Sequence, residues 1–202
     1  MDYFISDLHF GHKNVLAFNN RPLDNIEQHD NALIRNWNNA VNIDDDVYIL
    51  GDISWHNATR TLEIFNTLNG NLHLIKGNHD IQLLKGRDLR ERFVEITDYK
   101  ELSHGDDEKK IVLSHYPIPC FNHRHNGWIH LYGHVHNNTD WNTIEYTRRI
   151  LESRGTPCNM YNVGVMMSYM DYTPRTLRAI TNGFNWLVKL HIPREGEESD
   201  AE

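Results

Sequence analysis

The chain has 202 residues, which is enough for one ordinary domain with a buried core. A hydrophobic fraction of 39% and a charged fraction of 24% are typical of a globular protein rather than a disordered one. The formal net charge is −8, from 20 basic and 28 acidic residues without a Lys/Arg block, so stable binding to duplex nucleic acid is not expected. No apolar run approaches the roughly 18 residues of a membrane span, so no membrane association is expected either.

The N-terminus and the cysteines indicate a cytoplasmic protein. A strand is predicted almost at once, from Tyr3, and neither a basic region nor a long apolar region of a signal peptide precedes it. Cys120 and Cys158 are too few for a disulfide framework and lack metal-ligand spacing. Since no repeat or linker interrupts the chain, we predict a single domain over residues 1–194 and an acidic, disordered tail at 195–202.

Short apolar runs rich in β-branched or aromatic residues recur along the chain and predict buried strands. In chain order they are residues 3–5, 47–50, 72–75, 111–113 and 129–132. Each run is followed at once by a side chain that can bind a metal ion. Because open α/β sheets bind their ligands at the carboxyl ends of the strands, these side chains are expected to converge on one site.

Other patterns between the runs predict helices and a hairpin. Asp24 is a candidate cap for a helix that passes through Trp37, with Glu27 at the capping-box position. The remaining predicted elements are a helix at 59–68, a hairpin of 99–103 with 110–114 around a polar turn at 104–107, a strand at 161–165 and a short helix from Pro174. This order of elements predicts an α/β protein with mixed sheets.

The candidate metal ligands are N and O donors that follow the predicted strands: Asp7, His9, Asp52, Asn78, His115, His134 and His136. Asp7 and His9 are two residues apart, so in extended backbone their side chains point to the same side, and His134 and His136 repeat this spacing. Taken singly, each has a structural alternative as a turn former or a hydrogen-bonded loop residue. Because such a residue follows each of the five predicted strands, the residues together predict a metal centre.

The series Asp7-x-His9, Gly51-Asp52, Gly77-Asn78-His79-Asp80, His115 and Gly133-His134-x-His136 resembles the five-motif signature of the calcineurin-like metallophosphoesterases. The resemblance covers residues 7–136 in both order and spacing. It implies a four-layer α/β/β/α sandwich with two mixed β-sheets and metal ions at the strand ends.

The resemblance also implies roles for individual residues. Two divalent transition-metal ions would be bound, the first by Asp7, His9 and His136 and the second by Asn78, His115 and His134. Asp52 would bridge the ions, His79 would be the catalytic histidine and Asp80 would orient it. Imidazole and carboxylate ligands without thiolate suit Mn, which we expect first, or Fe, Zn, Co or Ni. A hydroxide between the ions would attack the phosphate ester.

The sequence after Gly51-Asp52 lacks the Asp-Arg-Gly extension of the family's Ser/Thr protein phosphatases and dinucleoside tetraphosphatases. It resembles instead the small bacterial and phage phosphoesterases, which predicts a phosphodiesterase acting on a phosphorylated small molecule or nucleotide. A phosphomonoesterase with the same site is the alternative, and a nuclease or a non-catalytic scaffold remains open.

His12, Asn14 and Arg21 are candidate substrate-binding residues, because they follow the first motif and a guanidinium can bind a phosphate oxygen. The structural alternative is that Asn14 caps a helix and Arg21 is solvated.

Overall fold

The computed structural model describes residues 1–18, 21–103 and 110–190, and it describes side chains as far as residue 185. The predicted turn at 104–107 and the predicted acidic tail at 195–202 lie outside the described residues. The strands are β1 (Asp2–Ile5), β2 (Asp46–Ile49), β3 (Asn71–Ile75), β4 (Glu95–Thr97), β5 (Tyr99–Ser103), β6 (Lys110–Ser114), β7 (Ile129–Tyr132) and β8 (Asn159–Asn162). The α-helices are α1 (Val15–Phe18), α2 (Ile26–Ala40), α3 (Ala58–Phe65), α4 (Arg87–Glu91), α5 (Thr139–Ser153) and α6 (Leu177–Leu190).

The strands form two four-stranded sheets, in the orders β1-β2-β3-β4 and β5-β6-β7-β8. The first sheet is parallel throughout, whereas the second combines an antiparallel β5–β6 pair with parallel pairs. The prediction of mixed sheets is therefore correct for the second sheet and wrong for the first. The reason is that helical crossovers connect β1 through β4, and a crossover returns the chain in the same direction.

The two sheets pack face to face between layers of helices. Alternate residues of a strand point to opposite faces, so Ile5 packs toward α2, α3 and α4 while its neighbour Phe4 packs toward the second sheet. In the second sheet, Leu113 joins the inter-sheet core, whereas Val112 faces outward toward Ile144 of α5. The protein is thus an α/β sandwich with helices on the outer faces of both sheets.

The helix boundaries differ from those predicted by a few residues. α2 begins one residue later than predicted, because its cap is Asn25, whose side chain accepts a hydrogen bond from the Gln28 amide at 2.9 Å. α3 ends at Phe65, and α6 begins at Leu177 rather than at Pro174. The five strands predicted to precede the candidate ligands end within one residue of the predicted positions.

The helices α4 and α5 and the strand β4 are absent from the predictions. On the buried face of α5 an ion pair takes the place of apolar residues: Glu145 and Arg148 are 6% and 7% exposed, with Arg148 Nε 2.9 Å from Glu145 Oε2. The charged pair weakens the apolar periodicity that predicts a helix. β4 has three half-buried residues at the edge of the first sheet, too few for a clear pattern.

β8 ends at Asn162, short of the predicted strand at 161–165, because the chain then crosses to the first sheet. Ser6 forms a parallel bridge with Gly164, and the Ser6 amide donates to the Val163 carbonyl oxygen at 2.9 Å. This bridge joins the carboxyl end of β1 to the carboxyl end of β8. In the described part of the chain, no helix has the length and apolar character needed to cross a membrane.

Candidate metal centre

The candidate ligands follow the strands at their carboxyl ends. Asp7 follows β1, Asp52 follows β2 and Asn78 follows β3 in the first sheet. His115 follows β6 and His134 follows β7 in the second sheet. The bridge between β1 and β8 brings these two edges together. The structure therefore gathers the ligands predicted from the sequence at one place.

A first group of donors consists of Asp7, His9 and His136. Asp7 Oδ1 lies 3.6 Å from His136 Nε2 and 4.0 Å from His9 Nε2, and the two Nε2 atoms are 3.1 Å apart. Ligands bound to one transition-metal ion at about 2.1 Å are separated from each other by about 3 Å. These three atoms therefore have the spacing of a metal-binding group.

A second group consists of Asp52, His115 and His134. His115 Nδ1 donates to the Leu50 carbonyl oxygen at 2.7 Å, which fixes the orientation of the ring. Its Nε2 faces Asp52 Oδ1 at 3.6 Å and Asn78 Oδ1 at 3.0 Å. A backbone carbonyl that fixes one ring nitrogen and leaves the other directed at further donors is the usual support of a metal-binding histidine. The donor set fits a metal ion.

The two groups are joined directly. The backbone amide of His134, in the second group, donates to both carboxylate oxygens of Asp7 in the first, at 3.2 and 3.1 Å. The His115 and His134 rings lie 5.1 Å apart. The groups therefore form one continuous centre.

The backbone at the ligands is left-handed rather than extended. Asp7, His9, Asp52 and His134 have φ angles of 55°, 53°, 56° and 69°. The prediction that Asp7 and His9 share one side of an extended strand is thus wrong in its geometry, although both side chains reach the same group. Such conformations cost about 1–3 kcal/mol each in non-glycine residues and persist where surrounding contacts fix them.

Two glycines allow the ligand loops to approach each other. A Cβ atom on Gly77 would overlap Asp52 Oδ1, and one on Gly133 would lie 2.8 Å from Asp7 Oδ2 and overlap Ser6 Oγ. Only glycine fits at either position without moving a ligand.

Burial and neighbouring charges set the protonation of the centre. Burial, together with the charge of Asp7, raises the pKa of Asp52 to about 6 against the opposing effect of His115. Burial also disfavours ionisation of Asp7, but the imidazoles of His136, His115 and His9 outweigh it and hold the pKa of Asp7 below its usual range. Burial lowers the pKa of His9 and of His134. An ionised Asp7 and histidines whose protonation is disfavoured, as at His9 and His134, suit metal binding, because ligands must be deprotonated.

The Asp80 carboxylate is hydrogen-bonded to backbone amides and not to the His79 ring, contrary to the role implied by the resemblance. Its carboxylate accepts hydrogen bonds from the backbone amides of Gly77, Ile53 and Asp52, at 2.7, 2.9 and 3.0 Å. Asp80 therefore holds together the loops that carry Asp52 and Asn78.

Arg21 is not available to a substrate, so its predicted phosphate contact is wrong. The residue is 4% exposed, and its guanidinium donates to the carbonyl oxygens of Asp7 and Leu8 at 3.0 and 3.3 Å. It also donates to His29 Nε2, and His29 Nδ1 donates to Asp30 Oδ1 at 2.9 Å. The chain Asp30–His29–Arg21 thus fixes the backbone of the first motif.

The other predicted residues lie at the rim of the centre or outside it. The His12 ring stacks on Trp55, with ring centroids 4.0 Å apart and an interplanar angle of 6°. Asn14 is exposed, and its carbonyl oxygen accepts the amide of the last residue of α1, which agrees with the helix-cap alternative. His79 is exposed, and its ring lies 4.3 Å from Trp55.

Sequence reasoning missed two aromatic residues beside the ligands. Trp55 is 39% exposed, with its ring 5.0 Å from that of His9. Tyr116 is 49% exposed, with its ring 4.6 Å from that of His134. The available signal was the position of Tyr116 directly after the strand-end ligand His115.

Fold and site together define an α/β protein with side-chain groups that can hold a metal ion at the joined edges of two sheets. No family model matches the chain. The uncharacterized protein MJ1445 of Methanocaldococcus jannaschii is 37% identical over 140 residues, which are 67% of this chain and 69% of that protein. The gene 66 proteins of Mycobacterium phages L5 and D29 are each 30% identical, over 66% and 73% of this chain and 76% and 84% of their own. The chain belongs to the family of these proteins.

A solved structure supports the fold. The crystal structure of AQ665 from Aquifex aeolicus, a protein of unknown function, matches with a TM-score of 0.67 and 29% sequence identity. The match covers 90% of this chain and 98% of that chain.

Proposed function

We propose that the chain is a metallophosphoesterase that uses two divalent transition-metal ions to hydrolyse phosphodiester bonds of a small-molecule or nucleotide substrate. The observation that carries the proposal is the pair of adjoining donor groups, Asp7/His9/His136 and Asp52/His115/His134, joined by the bond from the His134 amide to Asp7. A closed structural zinc site usually contains cysteine ligands, and neither group does.

Each group would hold one ion, and Asn78 would complete the second group because its Oδ1 faces His115 Nε2. Asp52 would bridge the ions. The His9 amide donates to the Asp52 carbonyl oxygen at 3.0 Å, which supports this role because it holds Asp52 beside the first group. Two such ions supply polarisation of the phosphate oxygens and a water that is acidic enough to act as nucleophile at neutral pH. The donors suit Mn best, with Fe, Zn, Co or Ni as alternatives.

His79 would donate the proton to the leaving oxygen as the bond between phosphorus and that oxygen breaks. Its ring is exposed beside the centre, and its backbone amide donates to Asp52 Oδ1 at 3.1 Å, which ties the residue to the ligand loop. Water supplies the oxygen that replaces the leaving group, so a diester yields a monoester and an alcohol.

A diester is favoured over a monoester because a terminal phosphate carries a second negative charge that needs a further cationic partner. The basic residue that the sequence offered for this purpose, Arg21, is buried against backbone carbonyl oxygens. The formal net charge of −8 also disfavours the more highly charged substrate.

The test is to remove metal from the purified protein, restore Mn²⁺, and compare initial rates on bis(p-nitrophenyl) phosphate and p-nitrophenyl phosphate. We expect Mn²⁺-dependent turnover that is faster on the diester and severely reduced in Asp52→Asn and His79→Ala. His125→Ala removes an exposed histidine outside the centre and serves as the matched control. Faster cleavage of the monoester would favour a phosphomonoesterase, and failure to bind any of the five metals would refute the proposal.

A further inference from the structure

Exposed aromatic rings flank the candidate metal centre on two sides. Trp55 borders the first donor group, with its ring 5.0 Å from that of His9. Tyr116 borders the second group, with its ring 4.6 Å from that of His134. The two residues are 39% and 49% exposed, so each presents aromatic surface to a ligand directly beside the donor groups.

Contacts on both sides hold these rings in place. The Trp55 indole stacks on His12, whose ring also lies 6.3 Å from that of Phe18, a residue 70% exposed. Tyr116 is fixed through its backbone, because Ser114 Oγ donates to the Tyr116 carbonyl oxygen at 2.6 Å. Rings held in this way lose little conformational entropy when a planar ligand stacks on them.

We infer that the site takes a phosphodiester joining two planar groups, such as the two nucleosides of a dinucleotide. One group packs against the part of the Trp55 ring that the stacked His12 leaves open, and the other stacks on Tyr116. The inference rests on the proposed phosphoesterase activity and names its substrate class. The phosphate would lie at the metal centre between the two rings.

The position of His79 distinguishes the two ends of the substrate. Its ring is 4.3 Å from Trp55, so the leaving group, which receives the proton from His79, lies on the Trp55 side. The group that stays on the phosphate lies on the Tyr116 side. Bases in a duplex are already paired and stacked on each other, so a substrate whose bases contact protein rings is a short or single-stranded molecule, in agreement with the acidic charge of the chain.

The test compares two diesters that share the p-nitrophenolate leaving group: methyl p-nitrophenyl phosphate and thymidine 5′-(p-nitrophenyl) phosphate. We expect wild-type kcat/KM to be about tenfold higher for the thymidine ester, because stacking on one aromatic ring contributes on the order of this factor. Tyr116→Leu should bring the ratio of the two kcat/KM values close to one. Trp55→Leu should lower kcat/KM for both esters and leave the ratio unchanged, because the leaving group is the same.

Variants that separate stacking from folding complete the kinetic test. Tyr116→Phe keeps an aromatic ring and should restore most of the preference for the thymidine ester that Tyr116→Leu removes. Tyr146→Leu, which removes a ring that is 68% exposed on α5, should change neither rate nor ratio. A wild-type ratio near one, or a ratio that Tyr116→Leu leaves intact, overturns the inference.

A binding measurement separates this inference from the proposed function. The probe is thymidylyl-(3′→5′)-thymidine, titrated by calorimetry into the Asp52→Asn variant so that hydrolysis is suppressed. Trp55→Leu and Tyr116→Leu, each placed in that background, should weaken binding about tenfold. If the wild-type protein hydrolyses no diester but both substitutions weaken dinucleotide binding, the proposed phosphoesterase activity is refuted and the aromatic subsites are supported. If diesters are hydrolysed but neither substitution weakens binding, the subsites fail alone.

Discussion

The bodies of the strands and their carboxyl ends are built on different principles. Within the strands, buried side chains such as Ile49 and Leu74 are apolar and pack against helices or the facing sheet. At the ends, Asp7 and Asp52 are equally buried, yet they are polar and have positive φ angles. The bodies are stabilised by apolar burial, whereas the ends depend on hydrogen bonds from distant residues. Substitutions that remove those hydrogen bonds should therefore disturb the ends most.

The largest loss of stability is expected for Asp80→Ala. It leaves the buried amides of Asp52, Ile53 and Gly77 without their acceptor, and each unsatisfied buried donor costs about 1–3 kcal/mol. We expect the free energy of unfolding of the metal-free protein to fall by about 4 kcal/mol in urea denaturation, with loss of metal binding. Asp24→Ala removes an exposed carboxylate and should have no effect. A loss below about 1 kcal/mol would show that Asp80 does not hold these loops.

The next effect concerns His130, a polar residue inside a strand body. Its Nδ1 donates to Val112 O and its Nε2 accepts from the Ile118 amide, each at 3.0 Å, so the buried ring is held neutral. Burial lowers its pKa from 6.5 to about 4. Because the folded pKa is the lower one, the stabilisation is complete above pH 6.5 and is lost as the pH falls toward 4. This contributes about 3 kcal/mol of pH dependence.

The measurement is the free energy of unfolding of wild type and His130→Gln between pH 7.5 and 4, without metal. Other groups titrate in both proteins, so the difference between the two curves isolates His130. Parallel curves would mean that the ring is not held neutral by the fold.

A smaller effect is expected for Gly133→Ala. The added Cβ atom would press on Ser6 Oγ and Asp7 Oδ2, and overpacking of this kind costs about 2 kcal/mol. Gly155→Ala is the matched control, because no atom lies within 4 Å of its Cβ position and only its φ of 75° is unfavourable. Gly133→Ala should weaken Mn²⁺ binding in a competition assay with a fluorescent chelator, and Gly155→Ala should not. Equal metal affinities in the two variants would contradict the close contact of Gly133 with Ser6 and Asp7.

Arg21→Lys is expected to have the smallest effect on the free energy of unfolding, but it should measurably weaken metal binding. Lysine keeps the charge but cannot hold the Asp7 and Leu8 carbonyl oxygens together with His29, as the planar guanidinium does. Residues that support metal ligands typically change metal affinity about 10- to 100-fold when replaced, and we expect a loss near the lower value. Arg35→Lys, on α2, provides the comparison. Unchanged metal affinity in Arg21→Lys would show that the guanidinium of Arg21 is not needed to position the first motif.

The same contrast explains what the sequence could predict. Strand bodies and the ligands directly after them are readable because a local apolar run followed by Asp or His needs no knowledge of distant residues. The roles of Arg21 and Asp80 were mispredicted because each depends on backbone groups contributed by other segments. α5 was missed for a related reason, since Glu145 and Arg148 are buried through their mutual ion pair and not through apolar character. The positive φ angles were not predicted, because Asp and His adopt them more often than other non-glycine residues but do so in only a minority of cases.

The bond from the His134 amide to Asp7 spans 127 positions of the chain, and the bridge at Gly164 lies further on. During synthesis, β1 leaves the ribosome long before either partner exists. The donor groups therefore cannot close until both sheets have been made and have met, because contacts between distant positions form late. Metal binding by the nascent chain would therefore indicate that the two sheets have packed together. Chains halted before residue 136 would lack His136 and could not form the first donor group.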